Sequence, residues 1–405
     1  MNTPLLLRSI FARIWRFKAR TLAMGLGIVI AVLATVLLQT VATGAEGAFI
    51  RFIEKAYPAD GLVLMGGSGP MGGGGGRRSV KPEDVETVVS TMGLREWDPM
   101  VFGGMRDVNH SGNVISVSVV GHSERAETVR RRSVREGEFI SAEDVEGRSR
   151  VALIGTTTAA ALFPGESPVG MELFIDNLSF TVKGVLEPAG VDPHGIDMDN
   201  TIHVPWTTLM EAMLHIDYFA SVTFIVEDLD RVDDAREQML GIMRERHSIG
   251  PDEEDDFSIF SAALMRAMFD RSFRTFTAFV PLIAGTAFLI SALVVLAIMQ
   301  ISMRGRIAEI GLRKAVGARP RDLQAQIVLE VAIVAVAASL AGVILARIGI
   351  TLAAPMLLAK MGIEALSIST SAVFVAVAGA IVTGIAGGVF PAHRAARLDP
   401  VAALR

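Results

Sequence analysis

Side chains suited to covalent or metal chemistry are sparse in this 405-residue chain. It has no cysteine, which removes disulfides, thiolate metal sites and thiol nucleophiles. His110, His122, His194, His203, His215 and His247 show no H-E-x-x-H or comparable ligand spacing. Asp192, His194, Asp197 and Asp199 form the one cluster with donor types for a metal, and a solvated acidic loop accounts for them better. The acidic run 252–256 lacks the EF-hand spacing and reads as a solvated linker. Residues 66–76 match G-x-G-x-x-G only because a polyglycine stretch matches almost any glycine motif, and no G-x-x-x-x-G-K-[ST] occurs in the sequence. Arg130, Arg131 and Arg132 read as surface charge. No nucleophile or acid–base arrangement emerges, so the expectation is a non-catalytic protein.

The chemistry that remains is charge recognition. Residues 304–321 hold Arg304, Arg306, Arg313, Lys314, Arg319 and Arg321, with Ile307, Ile310, Leu312 and Val316 as apolar positions of a short helix that Gly317 and Pro320 end. A loop serving only as a basic anchor would need neither that stripe nor Glu309. A short amphipathic helix suits docking into a groove on another protein. Glu330 stands in an apolar run, where a charge costs roughly 2.5–3.5 kcal/mol at a helix centre. It is expected to face a partner helix or the headgroups.

The elements that must position these residues follow from hydropathy and charge. With 51% hydrophobic and 20% charged residues, the chain fits neither a soluble globule nor a protein that is all membrane. Residues 45–271 carry 21 Lys+Arg against 38 Asp+Glu, and the remaining residues 17 against 5. The large polar region is acidic, so no nucleic-acid partner is expected. Apolar runs long enough to cross a bilayer lie at 21–45, 275–303, 323–346 and 365–392. Basic residues precede the first run, fill the 304–321 loop and follow the fourth, which places those segments and both termini in the cytoplasm and 45–271 outside. The first run exceeds a signal-peptide h-region and is expected to be retained. Leu7, Ile10, Phe11, Ile14 and Phe17 alternate with basic residues as in an amphipathic helix on the cytoplasmic leaflet. Outside, strands are expected at 61–65, 114–120 and 173–185, the last around an Asp176-Asn177 turn, with helices at 82–92 and 231–246. The result would be an α+β domain of about two subdomains, with a mobile loop at 66–78. Helical signals run from 261–274 straight into the second span.

Glu309-Ile310-Gly311-Leu312-Arg313-Lys314-Ala315-Val316-Gly317-Ala318 resembles the signature of FtsX-like permeases of ABC transporters, the MacB/LolC group. Glu330 early in the third span fits, as does the ending from Phe390-Pro391-Ala392-His393-Arg394 through Leu398-Asp399-Pro400 to Arg405. Arg135-Glu136-Gly137-Glu138, Val151-Ala152-Leu153-Ile154-Gly155, Leu162-Phe163, Pro168-Val169-Gly170 and Phe180-Thr181-Val182-Lys183-Gly184-Val185 resemble the MacB-type periplasmic core domain. The likeness covers nearly the whole chain, is most specific at the loop and the C-terminus, and fails at 66–76.

The resemblance implies a membrane protein with four transmembrane α-helices, one before and three after a large α+β extracytoplasmic domain. The implied domains are a cytoplasmic amphipathic helix at 1–20, a first span at 21–44, an outer core domain at 45–270 and a permease domain at 271–405. That last domain would hold spans at about 275–303, 323–346 and 368–392 and a coupling helix at about 304–320. Ile310, Leu312 and Val316 would fill the groove of an ABC ATPase, with Glu309, Arg313 and Lys314 fixing the register. The chain itself would hold no cofactor; ATP and Mg would belong to the ATPase, expected as a separate polypeptide because only 20 residues precede the first span. Further implied partners are a second permease chain, identical or related, a periplasmic adaptor or membrane fusion protein, and membrane lipids. The function implied is MacB-like efflux from the outer side of the inner membrane, driven by motion transmitted from the ATPase. LolC-like lipoprotein release and FtsX-like regulation of wall hydrolases are alternatives within the class. A membrane sensor with an extracytoplasmic ligand domain is the alternative outside it, and predicts a sizeable cytoplasmic output domain.

Overall fold

The computed structural model describes residues 15–67, 79–192, 195–317, 319–361 and 367–397. They fall into two compact units, one within 1–47, 272–358 and 363–405, the other within 48–271 and 359–362. The expected amphipathic helix at 1–20 lies mostly outside the described residues, as do the glycine-rich run, His194, Ala318 and the chain end from Leu398.

The first unit is built on four helices long and apolar enough to cross a membrane. They are α1 (Lys18–Ala56), α6 (Phe279–Arg304, preceded by α5, Ala262–Thr277), α8 (Pro320–Met361) and α9 (Thr370–Ala396). The intervening α2–α4 belong to the other unit. A seventh helix, α7 (Ile307–Ala315), lies between α6 and α8. On α1 the buried side chains Met24, Ile28, Val32 and Val36 recur every fourth residue, the spacing of one helix face. They share a core with Val295 and Met299 of α6, Val331 and Ala335 of α8, and Ala376 and Ala380 of α9. The opposite face of α6, with Leu282, Ile283, Leu289, Ile290 and Leu293, is exposed, as a lipid-facing surface would be. Small residues set the helix separations: a Cβ at Gly384 would stand 2.8 Å from the Ala335 methyl.

The second unit carries a ten-stranded mixed sheet in the order β10-β1-β9-β2-β3-β8-β5-β7-β4, with β6 off this path, paired to β2 and β7. In chain order the strands are β1 (Gly61–Gly66), β2 (Trp97–His110), β3 (Asn113–His122), β4 (Val134–Gly137), β5 (Val151–Ile154), β6 (Glu172–Ile175), β7 (Leu178–Leu186), β8 (Thr201–Pro205), β9 (Ser221–Ile225) and β10 (Phe257–Ser261). All pairs are antiparallel except β3–β8 and β5–β7. The expected two subdomains are joined through β2, whose residues 97–100 pair with β9 and 101–110 with β3. Helices α2 (Pro82–Met92), α3 (Thr156–Leu162) and α4 (Val232–Arg246) complete an α+β core that includes Val85, Leu162 and Met239.

Local chemistry explains these elements. Pro82 opens α2, Asp84 accepts the Lys81 N–H at 2.9 Å, and Gly93 ends it at φ 68°. Asp84 also accepts from Arg246 and His247 at the end of α4, so one carboxylate caps one helix and fastens another. Asp176 (φ 45°) and Asn177 (φ 73°) form the two-residue turn of the β6–β7 hairpin, the conformation their side chains tolerate best.

Candidate functional site

The α7 helix begins after Arg306, and Gly317 at φ 96° follows its end. Three attachments hold it on its own unit. Ile310 is buried in the apolar core with Met303, Leu323, Ile327, Ala392 and Ala395. Lys314 Nζ donates to the Ala396 carbonyl at 2.9 Å, satisfying a free acceptor in the last turn of α9. Arg313 donates to Gln326 of α8 at 3.2 Å and to Glu309 one turn back at 2.7 Å. Gly311 is buried beside Ile310, whereas Ala315 and Gly317 face outward.

Leu312 and Val316 are 58% and 83% exposed. Of the three apolar side chains expected to enter a partner's groove, Ile310 is the one buried within its own unit. It lies two residues before Leu312, which puts the two on different sides of an α-helix. Arg313 and Lys314 already have acceptors within the chain, while the carboxylate of Glu309 stands half exposed.

Glu330 is 1% exposed and lies on α8 between two guanidinium groups. Arg20 of α1 donates to its Oε1 and also to Ser302 Oγ of α6; Arg306 Nη1 donates to Oε2 at 3.4 Å. One carboxylate thus joins α1, the α6–α7 junction and α8. The sequence expectation, a partner helix or the headgroups for Glu330, does not name either arginine. The signal in the sequence is that Arg20 precedes the first apolar run, Arg306 follows the second and Glu330 lies in the early part of the third. Leaving such a buried charge unpaired is expensive, so the cluster fixes the helices against one another.

The second unit holds a different buried cluster. Asp98, at the start of β2, accepts from Ser123 N and Oγ at 2.9 and 2.8 Å, from His122 Nδ1 at 2.9 Å and from Arg130 Nε at 2.5 Å. Burial pushes the Asp98 carboxyl up, but His122 and Arg130 overcome it and hold the group well below the usual carboxylate range. Burial depresses the imidazoles of His122 and His203, whose rings stand 4.9 Å apart, so both are neutral near pH 7. Arg130 is therefore not the surface charge its sequence setting suggests.

Nor are Asp192 and Asp199 solvated. Asp199 is buried and accepts the N–H groups of Ala189 and Gly190 at 2.8 and 2.9 Å, while Asp192 accepts from Ile196 at 2.7 Å. These carboxylates organise backbone. The 252–256 run is tied down likewise, Asp255 to Arg244 at 2.6 Å and Asp256 to His247 at 2.7 Å. Among the described residues no group of three or more His, Asp or Glu side chains is placed to hold a metal ion.

Four helices long and apolar enough to cross a membrane, with a separate α+β unit, define a membrane protein. Residues 21–242 match the MacB-like periplasmic core domain and residues 281–400 the FtsX-like permease C-terminal domain. The chain belongs to the MacB-type family of ABC-transporter permeases.

Among curated relatives, the macrolide export ATP-binding/permease protein MacB of Marinobacter nauticus is 31% identical over 98% of this chain and 59% of its own length. The pyoverdine export ATP-binding/permease protein PvdT of Pseudomonas syringae pv. tomato is 30% identical over 96% of this chain and 58% of its own. The chain thus spans less than two thirds of the relatives it matches. The solved periplasmic region of MacB from Actinobacillus actinomycetemcomitans is 15% identical, covers 53% of this chain and 94% of its own, and gives a TM-score of 0.47.

Proposed function

We propose that this chain is the permease component of a MacB-like exporter and transmits ATP-driven motion from an ABC ATPase docked on α7. In this reading it lies in the inner membrane with one span before and three after its periplasmic domain, and its termini and α7 face the cytoplasm. The basic flanks of the four apolar runs support that orientation. The observation that carries the proposal is the two-sidedness of α7: Ile310, Arg313 and Lys314 bind it to its own unit while Leu312 and Val316 stand bare. A helix held this way gives a partner an apolar grip and cannot be displaced without moving α8 and α9. ATP binding pairs two ATPases, so two permease chains work together, and ATP and Mg reside in the ATPase. Cargo is gathered on the outer side and passed to a periplasmic adaptor. Curated relatives named as macrolide and pyoverdine exporters favour export over lipoprotein release.

The test replaces both exposed residues, Leu312→Glu with Val316→Glu, and follows ATPase co-purification from native membranes. Loss of the ATPase at unchanged thermal stability is the expected result, since neither side chain packs in the core. Retention of the ATPase overturns the docking assignment. Spin-label distances within the paired outer domains should change between ATP-bound and ADP-bound states. Distances that ignore the nucleotide overturn the transmission mechanism.

A further inference from the structure

The charge cluster in the helical unit borders a cavity that the coupling role leaves unused. Phe17, Arg20, Ile298, Ile301, Ser302, Gly305 and Arg306 line an open cavity of about 390 Å³, within the range of small-ligand sites. We propose that this cavity binds the phosphate of an anionic phospholipid.

Charge is the first argument. Arg20 and Arg306 bring two positive charges and Glu330 one negative, a net +1 that a single phosphodiester neutralises. Hydrogen bonding is the second. Each guanidinium has five N–H donors, and the acceptors paired with them are the two Glu330 oxygens and Ser302 Oγ. Arg20 Nε and Arg306 Nη2 are buried with no acceptor among the described residues. Buried donors in that condition are rare, and phosphate oxygens are the acceptors that guanidinium groups fit best. The Arg306 side chain is only 9% exposed. Phe17 supplies the wall, its ring 5.5 Å from the Arg20 guanidinium carbon and 5.1 Å from that of Arg306.

The surroundings select a lipid over a free ion. Ile301 is 71% exposed and continues the bare apolar face of α6, so acyl chains attached to the phosphate have a surface to lie on. The net charge selects an anionic lipid over a zwitterionic one, whose ammonium would face the unbalanced cation. This site depends on α1 and α6 spanning a membrane and is independent of ATPase docking.

The experiment is native mass spectrometry of the full purified chain exchanged against equal phosphatidylglycerol and phosphatidylcholine. One phosphatidylglycerol per chain is expected, retained about tenfold more than phosphatidylcholine, the scale of a charge-assisted bond. Arg306→Gln should reduce that preference to about twofold, the charge-assisted bond being lost. Because Arg306 also pairs with Glu330, Gly305→Leu is the independent variant. At Gly305, which lines the cavity, an added Cβ meets nothing nearer than the Ser302 carbonyl at 3.8 Å, so the substitution adds bulk there without removing either arginine. It should lose the lipid at unchanged thermal stability. Equal retention of the two lipids, or full retention of phosphatidylglycerol by Gly305→Leu, overturns the proposal. Millimolar inorganic phosphate that displaces phosphatidylglycerol completely overturns the lipid assignment in favour of a free anion.

Discussion

Glu330 in the helical unit and Asp98 in the outer one are both almost fully buried carboxylates, and the charge around them differs. Asp98 faces one arginine and histidines that burial keeps neutral, so its cluster is balanced, with both oxygens bonded to groups on β3 and the segment just after it. Glu330 faces two arginines far apart in sequence, and its cluster carries surplus charge, whereas a buried guanidinium N–H with no acceptor among the described residues occurs in both clusters, Arg130 Nη2 in one and Arg20 Nε and Arg306 Nη2 in the other. The balanced cluster fastens one strand to its neighbour. The unbalanced one ties three helices and keeps binding capacity in reserve. A buried charge in the first setting is architecture, whereas in the second it is architecture that can also recognise something.

Substitutions can break or sharpen this contrast. The largest effect is expected for Glu330→Gln, which leaves two arginines facing each other out of water. A loss of about 3–5 kcal/mol is expected, read as thermal unfolding of the full chain in lipid nanodiscs. Adding Arg306→Gln should restore part of that loss. A purely additive double variant would show that the two groups are not coupled.

Asp98→Asn retains the shape and one acceptor and leaves a single arginine short of a charge, so about 2–3 kcal/mol is expected. Equal losses at the two sites would end the comparison.

The balanced cluster also predicts a pH response. His122 and His203 are held below their ordinary pKa in the folded chain, by burial first and by Arg130 and Arg132, with His122 also lowering His203, against the opposing Asp98. The unfolded chain therefore takes up protons first as pH falls below about 6.5. Stability present at neutral pH should decline below that point by up to about 1.4 kcal/mol per pH unit for each imidazole. His203→Phe should flatten the slope, measured as outer-domain melting between pH 7 and 5. An unchanged slope would exclude His203 as its source.

The smallest effect is expected for Glu309→Ala, which breaks the exposed i,i+4 pair with Arg313 and should cost about 0.5 kcal/mol or less.

Much of this was legible in the sequence where the signal is local. The four apolar runs, the Pro82–Met92 helix with Gly93 behind it, and the Asp176-Asn177 hairpin each depend on neighbouring residues alone. Strand β2 was not legible, because its register shift between Phe102 and Gly104 interrupts the alternation that marks a strand. For Ile310, a helical stripe does not say which side its own protein will cover. The particular partners of Arg130 and Glu330 were not legible for one shared reason. Their partners are separated from them in sequence, Arg20 from Glu330 by 310 residues, and pattern reading has no reach over that distance.

The contact between Gly384 and Ala335 bears on how this protein can change over generations. The two helices share space for one methyl group, since a Cβ at 384 would meet the Ala335 Cβ at 2.8 Å while the Val331 carbonyl stays 3.5 Å away. Exchanging the alanine from one helix to the other therefore has an order. Ala335→Gly can come first, passing through a loosened seam, and Gly384→Ala can follow. The reverse order begins with a clash. Relatives should accordingly carry their alanine on one side of this seam or the other, and lineages that switched should have passed through glycine on both.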